Sequence, residues 1–281
     1  MIVPGSASQE LAATLAAETD HALAAVDFHR FPDGETKVTV PEPGDHAVVV
    51  ASTVTDRAHV ELLQLQDAAR EAGADRVTTV VPYMGYARQD KAFDAGEPIS
   101  ARAVARAIST GTDRVLTVDP HVDAVCDFFE IPAEPIHAAG RLAEPLPDDL
   151  ADPLFLSPDD GAIDLATAVR DAYGRGTVDY FEKTRLSGDE VEIEPSDADV
   201  AGRDVAVVDD IIATGSTMGE SIAVLRDREA AGICVACVHP LLVGNARTTL
   251  ARAGVDRVVG TDTIERPVSD VSVAPAIADA L

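Results

Sequence analysis

The sequence predicts an α/β protein made of two similar halves, each a mainly parallel sheet flanked by helices. Three observations predict it. Short β-branched runs alternate with helical stretches along the chain. A weak internal repeat relates the first half to the second. The groups able to do chemistry gather where strands end and helices begin, which is the ligand side of an open α/β sheet.

Taken in order, strands are expected at 2–4, 25–29, 37–40 and 47–51, with helices at 7–18 and 57–72. Strands at 77–82 and 114–118 follow, on either side of a helix at 98–109. Later come strands at 154–157, 178–182, 204–208, 233–239 and 257–260, and helices at 160–173, 217–230, 244–252 and 274–281. Val205 to Val208 is a short apolar run bounded by charge, the signature of a strand buried on both faces.

The repeat joins these elements into domains. Asp45 to Asp56 and Arg70 to Pro82 run parallel to Asp204 to Thr217 and Arg228 to Pro240. Tyr86-Ala87-Arg88 then falls opposite Asn245-Ala246-Arg247, and Gly111 to Asp119 echoes Gly254 to Asp262. Two copies of one domain account for this, 1–145 and 146–281, with the last helix placed to pack on the N-terminal one.

Composition bounds the function. A chain of 281 residues holds one large or two modest domains. The net charge of −27 disfavours nucleic acid as a partner and reads as adaptation to high salt, where ions screen self-repulsion. Its only lysines are Lys37, Lys91 and Lys183. No basic flank precedes an apolar run at the N-terminus and no segment reaches membrane-span length, so a cytoplasmic enzyme without membrane contact is expected. Cys234 and Cys237 form a C-x-x-C inside an apparent strand, where positions three apart face opposite ways, so with Cys126 they read as small buried hydrophobes.

The densest chemistry lies at 205–225. Asp209 and Asp210 end a strand, and Ala213-Thr214-Gly215-Ser216-Thr217 turns into a helix. Small residues let successive N–H groups converge on a phosphate, the helix N-terminus adds positive dipole, and three hydroxyls add donors. The acid pair would repel phosphate and suits vicinal ribose hydroxyls instead. Thr217 with Glu220 also fits a capping box, which needs no ligand. No Gly-Lys-Ser/Thr follows, so this is no Walker A loop.

Asp209 to Thr217 resembles the phosphoribosyl pyrophosphate (PRPP) loop of type I phosphoribosyltransferases and PRPP synthetases. Other stretches favour the synthetases, of archaeal type and from a halophile. Arg30-Phe31-Pro32-Asp33-Gly34-Glu35 is similar to their adenine-contacting motif, which implies ATP contacts from Phe31, Asp33, Gly34 and Glu35, generally across a subunit interface. Pro82 to Lys91 is similar to their ATP-binding segment, with Arg88 and Gln89 as nucleotide contacts; phosphoribosyltransferases lack it. Asp119-Pro120-His121 implies that His121 ligates magnesium carried by ATP, and Ser157-Pro158-Asp159 that Asp159 is a second magnesium-binding acid. Glu130 and Glu134 stand where some members use Asp for a further metal.

Tyr180-Phe181-Glu182-Lys183-Thr184-Arg185 opens a long polar loop, Leu186 to Val200, expected to be mobile or to act as a lid. Its cations match the Lys and Arg that fold over the reacting phosphates, which makes Lys183 and Arg185 the catalytic pair. Arg185, Asp209, Asp210 and Ala213 to Thr217 would hold ribose 5-phosphate. Ala213 and Ser216 depart from the usual acid and Gly, and Ser216 asks whether a Cβ fits there. The resemblance implies two tandem phosphoribosyltransferase-like domains, a homo-oligomer, Mg2+, and diphosphoryl transfer from ATP to the C1 hydroxyl of ribose 5-phosphate. A phosphoribosyltransferase and a catalytically silent regulatory subunit are the alternatives.

Overall fold

A computed structural model describes residues 1–42, 44–187, 190–195 and 198–281, with backbone alone over 183–187 and 190–195. The chain divides into two compact units. The first is Met1–His137 with Asp262–Glu265 and Ser272–Leu281; the second is Ala138–Thr261 with Arg266–Val271.

The first unit has strands β1 (Ile2–Pro4), β4 (His46–Val50), β5 (Arg76–Val81), β6 (Arg114–Val118) and β7 (Ala133–Ile136) in one sheet, ordered β1-β4-β5-β6-β7 and wholly parallel. Strands β2 (Asp27–Arg30) and β3 (Thr36–Thr39) pair with each other as a separate antiparallel hairpin. Helices α1 (Gln9–Thr19), α2 (Asp56–Glu71) and α3 (Ser100–Ser109) flank the sheet, and α7 (Ala274–Ala280) packs on α1. Alternate faces of β4 and β5 meet the apolar stripe of α2, so Val49, Leu62, Leu65, Val77 and Ile108 share one core.

The second unit has β8 (Leu154–Ser157), β9 (Thr177–Ser187), β10 (Glu190–Pro195), β11 (Asp204–Ile211), β12 (Gly232–His239), β13 (Arg257–Thr261) and β14 (Ser269–Val271), ordered β10-β9-β8-β11-β12-β13-β14. Only the β9–β10 pair is antiparallel among these described strands. Helices α4 (Ile163–Tyr173), α5 (Ser216–Asp227) and α6 (Ala246–Ala253) cover it. Its core joins Leu156, Val207, Ile222, Leu225, Val235 and Leu250. Within the polar stretch expected as a loop or lid, Glu190–Pro195 instead pairs antiparallel with β9, because Val191 and Ile193 alternate with glutamates at the period of a strand; 188–189 and 196–197 lie outside the described residues.

The repeat is visible in topology. Strands β1-β4-β5-β6-β7 and β8-β11-β12-β13-β14 follow one rule, and each unit inserts a hairpin after its first helix. Even the β8–β9 pairing has a remnant: Leu23, past α1, bridges Ile2 in parallel before the chain leaves for β2. Both copies also fasten a helix end to two strands. Asp113 takes Arg70 at 2.6 Å and the Val77 N–H at 2.8 Å, and Asp256 takes Arg226 at 2.8 Å and the Ile233 N–H at 2.7 Å. Arg226, rather than the Arg228 aligned by sequence, is thus the counterpart of Arg70.

All three thiols are free, with Cys234 and Cys237 buried and Cys126 half-buried. Burial pushes the Cys126 thiol up to about 11 and raises that of Cys237 too, which suits inert packing groups. No described helix is long and apolar enough to cross a membrane.

Candidate active site

In the second unit, β11 carries Asp209 and Asp210 to the C-terminal edge of the sheet, where α5 begins. The Asp210 N–H donates to Asp209 Oδ1 at 2.9 Å and the Ile211 N–H to Asp210 Oδ1 at 2.7 Å, so local backbone orients both carboxylates. Burial first, then the charge of Asp210 and a hydrogen bond with it, hold the Asp209 carboxyl well above the usual carboxylate range; Asp159 adds to the effect. Asp159 itself follows β8, and its carbonyl accepts the Ser157 hydroxyl at 2.6 Å.

The turn that follows leaves the start of α5 without a side-chain cap. Gly215 is the residue before the helix, with φ 76°, and the capping box of Thr217 and Glu220 does not form. Thr214, Ser216 and Thr217 are exposed, and the Thr214 and Ser216 hydroxyls lie 3.2 Å apart. The first-turn N–H groups of a helix have no intrahelical acceptor, so this end offers donors and dipole together. Ser216 is the first helical residue, where a Cβ is accommodated. At Gly215 a Cβ would be crowded, meeting the Ala246 carbonyl at 3.3 Å and Leu250 at 3.4 Å. Sequence reasoning missed what pins the turn, since the Leu242 N–H reaches the Ile212 carbonyl at 2.8 Å and the Val243 N–H the Ala213 carbonyl at 3.0 Å.

In the first unit, the segment after β5 lines a cavity of about 490 Å³ together with Thr53–Asp56, Phe93 and Glu97. Arg88 and Gln89 both face it. The Ala101 N–H donates to the Gln89 carbonyl at 3.2 Å, and the Ser100 hydroxyl bonds the Gln89 side chain, so α3 fixes that residue twice. Gly85 lets the segment lie against Thr53; a Cβ would stand 2.3 Å from the Thr53 carbonyl oxygen. Tyr86 takes φ 67°, a strained value for an aromatic residue, and its hydroxyl donates to Asp56 at 2.5 Å, which raises the phenol's pKa. Nothing in the sequence pairs Tyr86 with Asp56, which lie 30 residues apart.

Phe31, Asp33, Gly34 and Glu35 form the tip of the β2–β3 hairpin, closed by Phe31 N–H to Glu35 carbonyl at 2.8 Å and Gly34 N–H to Phe31 carbonyl at 2.9 Å. Every residue of β2 is exposed. After β6, Asp119 is buried with φ 34°, and His121 is exposed two residues on. His137, not singled out by sequence, stands 3.6 Å from Asp119 and 3.5 Å from Asp123. Glu130 and Glu134 are engaged by Arg106 and Arg114 at 3.4 and 3.0 Å. Lys183 and Arg185 lie on the backbone of β9, and their side chains fall outside the described residues. Among the described residues, no three His, Cys, Asp or Glu side chains converge to hold a metal unaided.

Comparison with known proteins decides the family. Residues 1–111 match the profile of the N-terminal domain of ribose phosphate pyrophosphokinase, and 132–274 that of the phosphoribosyl transferase domain. The ribose-phosphate pyrophosphokinase of Halobacterium salinarum is 64% identical over 283 aligned positions, covering 100% of both chains. The chain belongs to the ribose-phosphate pyrophosphokinase family. A pyrophosphokinase of Methanopyrus kandleri is 44% identical, covering 100% of this chain and 98% of its own. Among solved structures, the phosphoribosylpyrophosphate synthetase of Mycobacterium smegmatis superposes with TM-score 0.84 at 30% identity, covering 100% of this chain and 96% of that one.

Proposed function

We propose that this pyrophosphokinase-family chain transfers the β,γ-diphosphoryl group of ATP to the C1 hydroxyl of ribose 5-phosphate, giving PRPP and AMP. The observation that carries the reading is the pairing of an uncapped, hydroxyl-rich helix N-terminus with an adjacent acid pair in a chain similar over its full length to pyrophosphokinases. A phosphoribosyltransferase accounts for the second unit alone. A silent subunit would be expected to lack Lys183, Arg185 or His121, and the sequence keeps all three.

Thr214 to Thr217 hold the 5-phosphate, with Ala213 lending backbone, while Asp209 and Asp210 accept from ribose hydroxyls. Arg88 and Gln89 hold ATP, and Phe31 to Glu35 reach the adenine of a neighbouring copy, a role that suits an exposed hairpin in a homo-oligomer. The chemistry fits magnesium: burial first, then the charge of Asp210 and, least, that of Asp159 raise the Asp209 carboxyl, and a hard cation that would relieve such charge prefers oxygen ligands. His121 would hold magnesium carried by ATP, and Asp159 would be a second magnesium-binding acid; the cation would neutralise phosphate charge. Positioning of the C1 hydroxyl in line with the β-phosphorus, and stabilisation of developing charge by Lys183 and Arg185, then supply the barrier lowering. The setting is the cytoplasm at high salt, with no membrane or nucleic acid involved.

The test is AMP release from ATP and ribose 5-phosphate with Mg2+ in concentrated potassium chloride. Native protein turns over, and Lys183→Ala loses about a hundredfold in kcat, the loss of one charge-stabilising contact. Equal rates reject the role of Lys183; no AMP from the native protein rejects the activity.

A further inference from the structure

The two most exposed large apolar side chains among the described residues, Phe93 at 62% and Tyr86 at 51%, line the same cavity in the first unit. A single exposed aromatic is ordinary on a protein surface. Two around one cavity are not explained by folding, which gains most from aromatic rings when they are buried. The Phe93 loop is also built rather than slack. The Glu97 carboxylate accepts from the Phe93 N–H at 3.0 Å and the Asp94 N–H at 3.2 Å, and the Glu97 N–H returns to the Asp94 carbonyl at 3.3 Å. The Lys91 ammonium stands 5.6 Å from the centre of the Phe93 ring. Polar contacts of the backbone therefore hold the ring in water beside Arg88 and Gln89.

We propose that Phe93 is a specificity-determining residue that offers a stacking face to the purine base of the nucleoside triphosphate, within the chain that also supplies Arg88. The proposal rests on the reading of this cavity as the ATP site, and it adds an aromatic in cis to the Phe31 expected from a neighbour. Stacking acts on the base and not on the phosphates, so it distinguishes ATP from a bare polyphosphate of similar charge.

The experiment compares native protein, Phe93→Ala and Phe93→Tyr by calorimetric binding of ATP and by competition with inorganic tripolyphosphate, at one potassium chloride concentration. Phe93→Ala is expected to weaken ATP about tenfold, the range found for removing one base-stacking ring, and to leave tripolyphosphate unchanged. Phe93→Tyr, which keeps a ring, stays near native. Unchanged ATP affinity in Phe93→Ala overturns the proposal. So does equal weakening of both ligands, which marks a structural role in the loop, or a change of molecular mass in light scattering, which marks a subunit contact. Native protein that fails to bind ATP overturns the underlying site reading, whereas native binding with an indifferent variant overturns the stacking role alone.

Discussion

Asp209 is where stability and function pull apart. Its carboxyl titrates above the usual range in the folded, ligand-free chain because burial and the neighbouring charge of Asp210 disfavour the anion. The folded state thus binds this proton more tightly than the unfolded one. The stability so gained is complete below the ordinary carboxylate pKa and is lost as pH rises through the raised folded value. Asp209→Asn removes the buried charge, so its melting temperature is expected above native at neutral pH, with the difference closing in acid. The same variant loses a charged acceptor for ribose hydroxyls and should bind ribose 5-phosphate about tenfold or more weakly. Thermal scans across pH with calorimetry of ribose 5-phosphate decide it; a variant less stable than native at neutral pH means the carboxylate is held by partners rather than strained. This acid pair was legible in the sequence because its members are adjacent. The Tyr86–Asp56 contact and the placing of His137 between Asp119 and Asp123 were not, since each joins residues that only the fold brings together.

The turn proposed to hold phosphate depends on one glycine. Gly215 sits in the left-handed region, which costs a residue with a Cβ about 1–2 kcal/mol, and α6 closes the space a Cβ would need. Gly215→Ala is expected to raise the KM for ribose 5-phosphate about tenfold while leaving ATP affinity in the first unit intact. Steady-state kinetics with each substrate varied separately check this, and a parallel rise in both constants would mean that the whole second unit has loosened. Among elements, the buried strands were the legible ones: β8, β11, β12 and β13 are apolar runs that parallel sheets require. The strands that escaped sequence reading, β7, β10 and β14, all lie at sheet edges. An edge strand has neighbours on one side only, so it tolerates Pro135 in β7 and glutamates in β10, and the signal of burial fades.

Duplication at the scale of the whole chain explains why so much was readable: one topology is used twice, and the copies differ in how the hairpin joins the sheet and in the turns after β4 and β11. β11 ends in two acids followed by the small-residue turn proposed to hold phosphate, while after β4 the chain leads through Thr53 to Asp56 along the cavity that Arg88 lines. Charge is the other property of the whole chain. With 49 acidic and 22 basic residues, the chain repels itself at low salt, and the described ion pairs, such as Arg70 with Asp113 and Arg226 with Asp256, each use one charge of either sign and leave the acidic excess of 27 unchanged. The Debye length falls from about 10 Å at about 0.1 M salt to about 3 Å at about 1 M, which is shorter than the spacing of most surface charges. The melting temperature is therefore expected to climb steadily between those concentrations of potassium chloride, and sodium chloride should act alike if screening rather than a specific cation is the cause. A melting temperature indifferent to salt would mean that the acidic surface is not self-repelling in the folded state, and the reading of its charge as an adaptation to salt would fall with it.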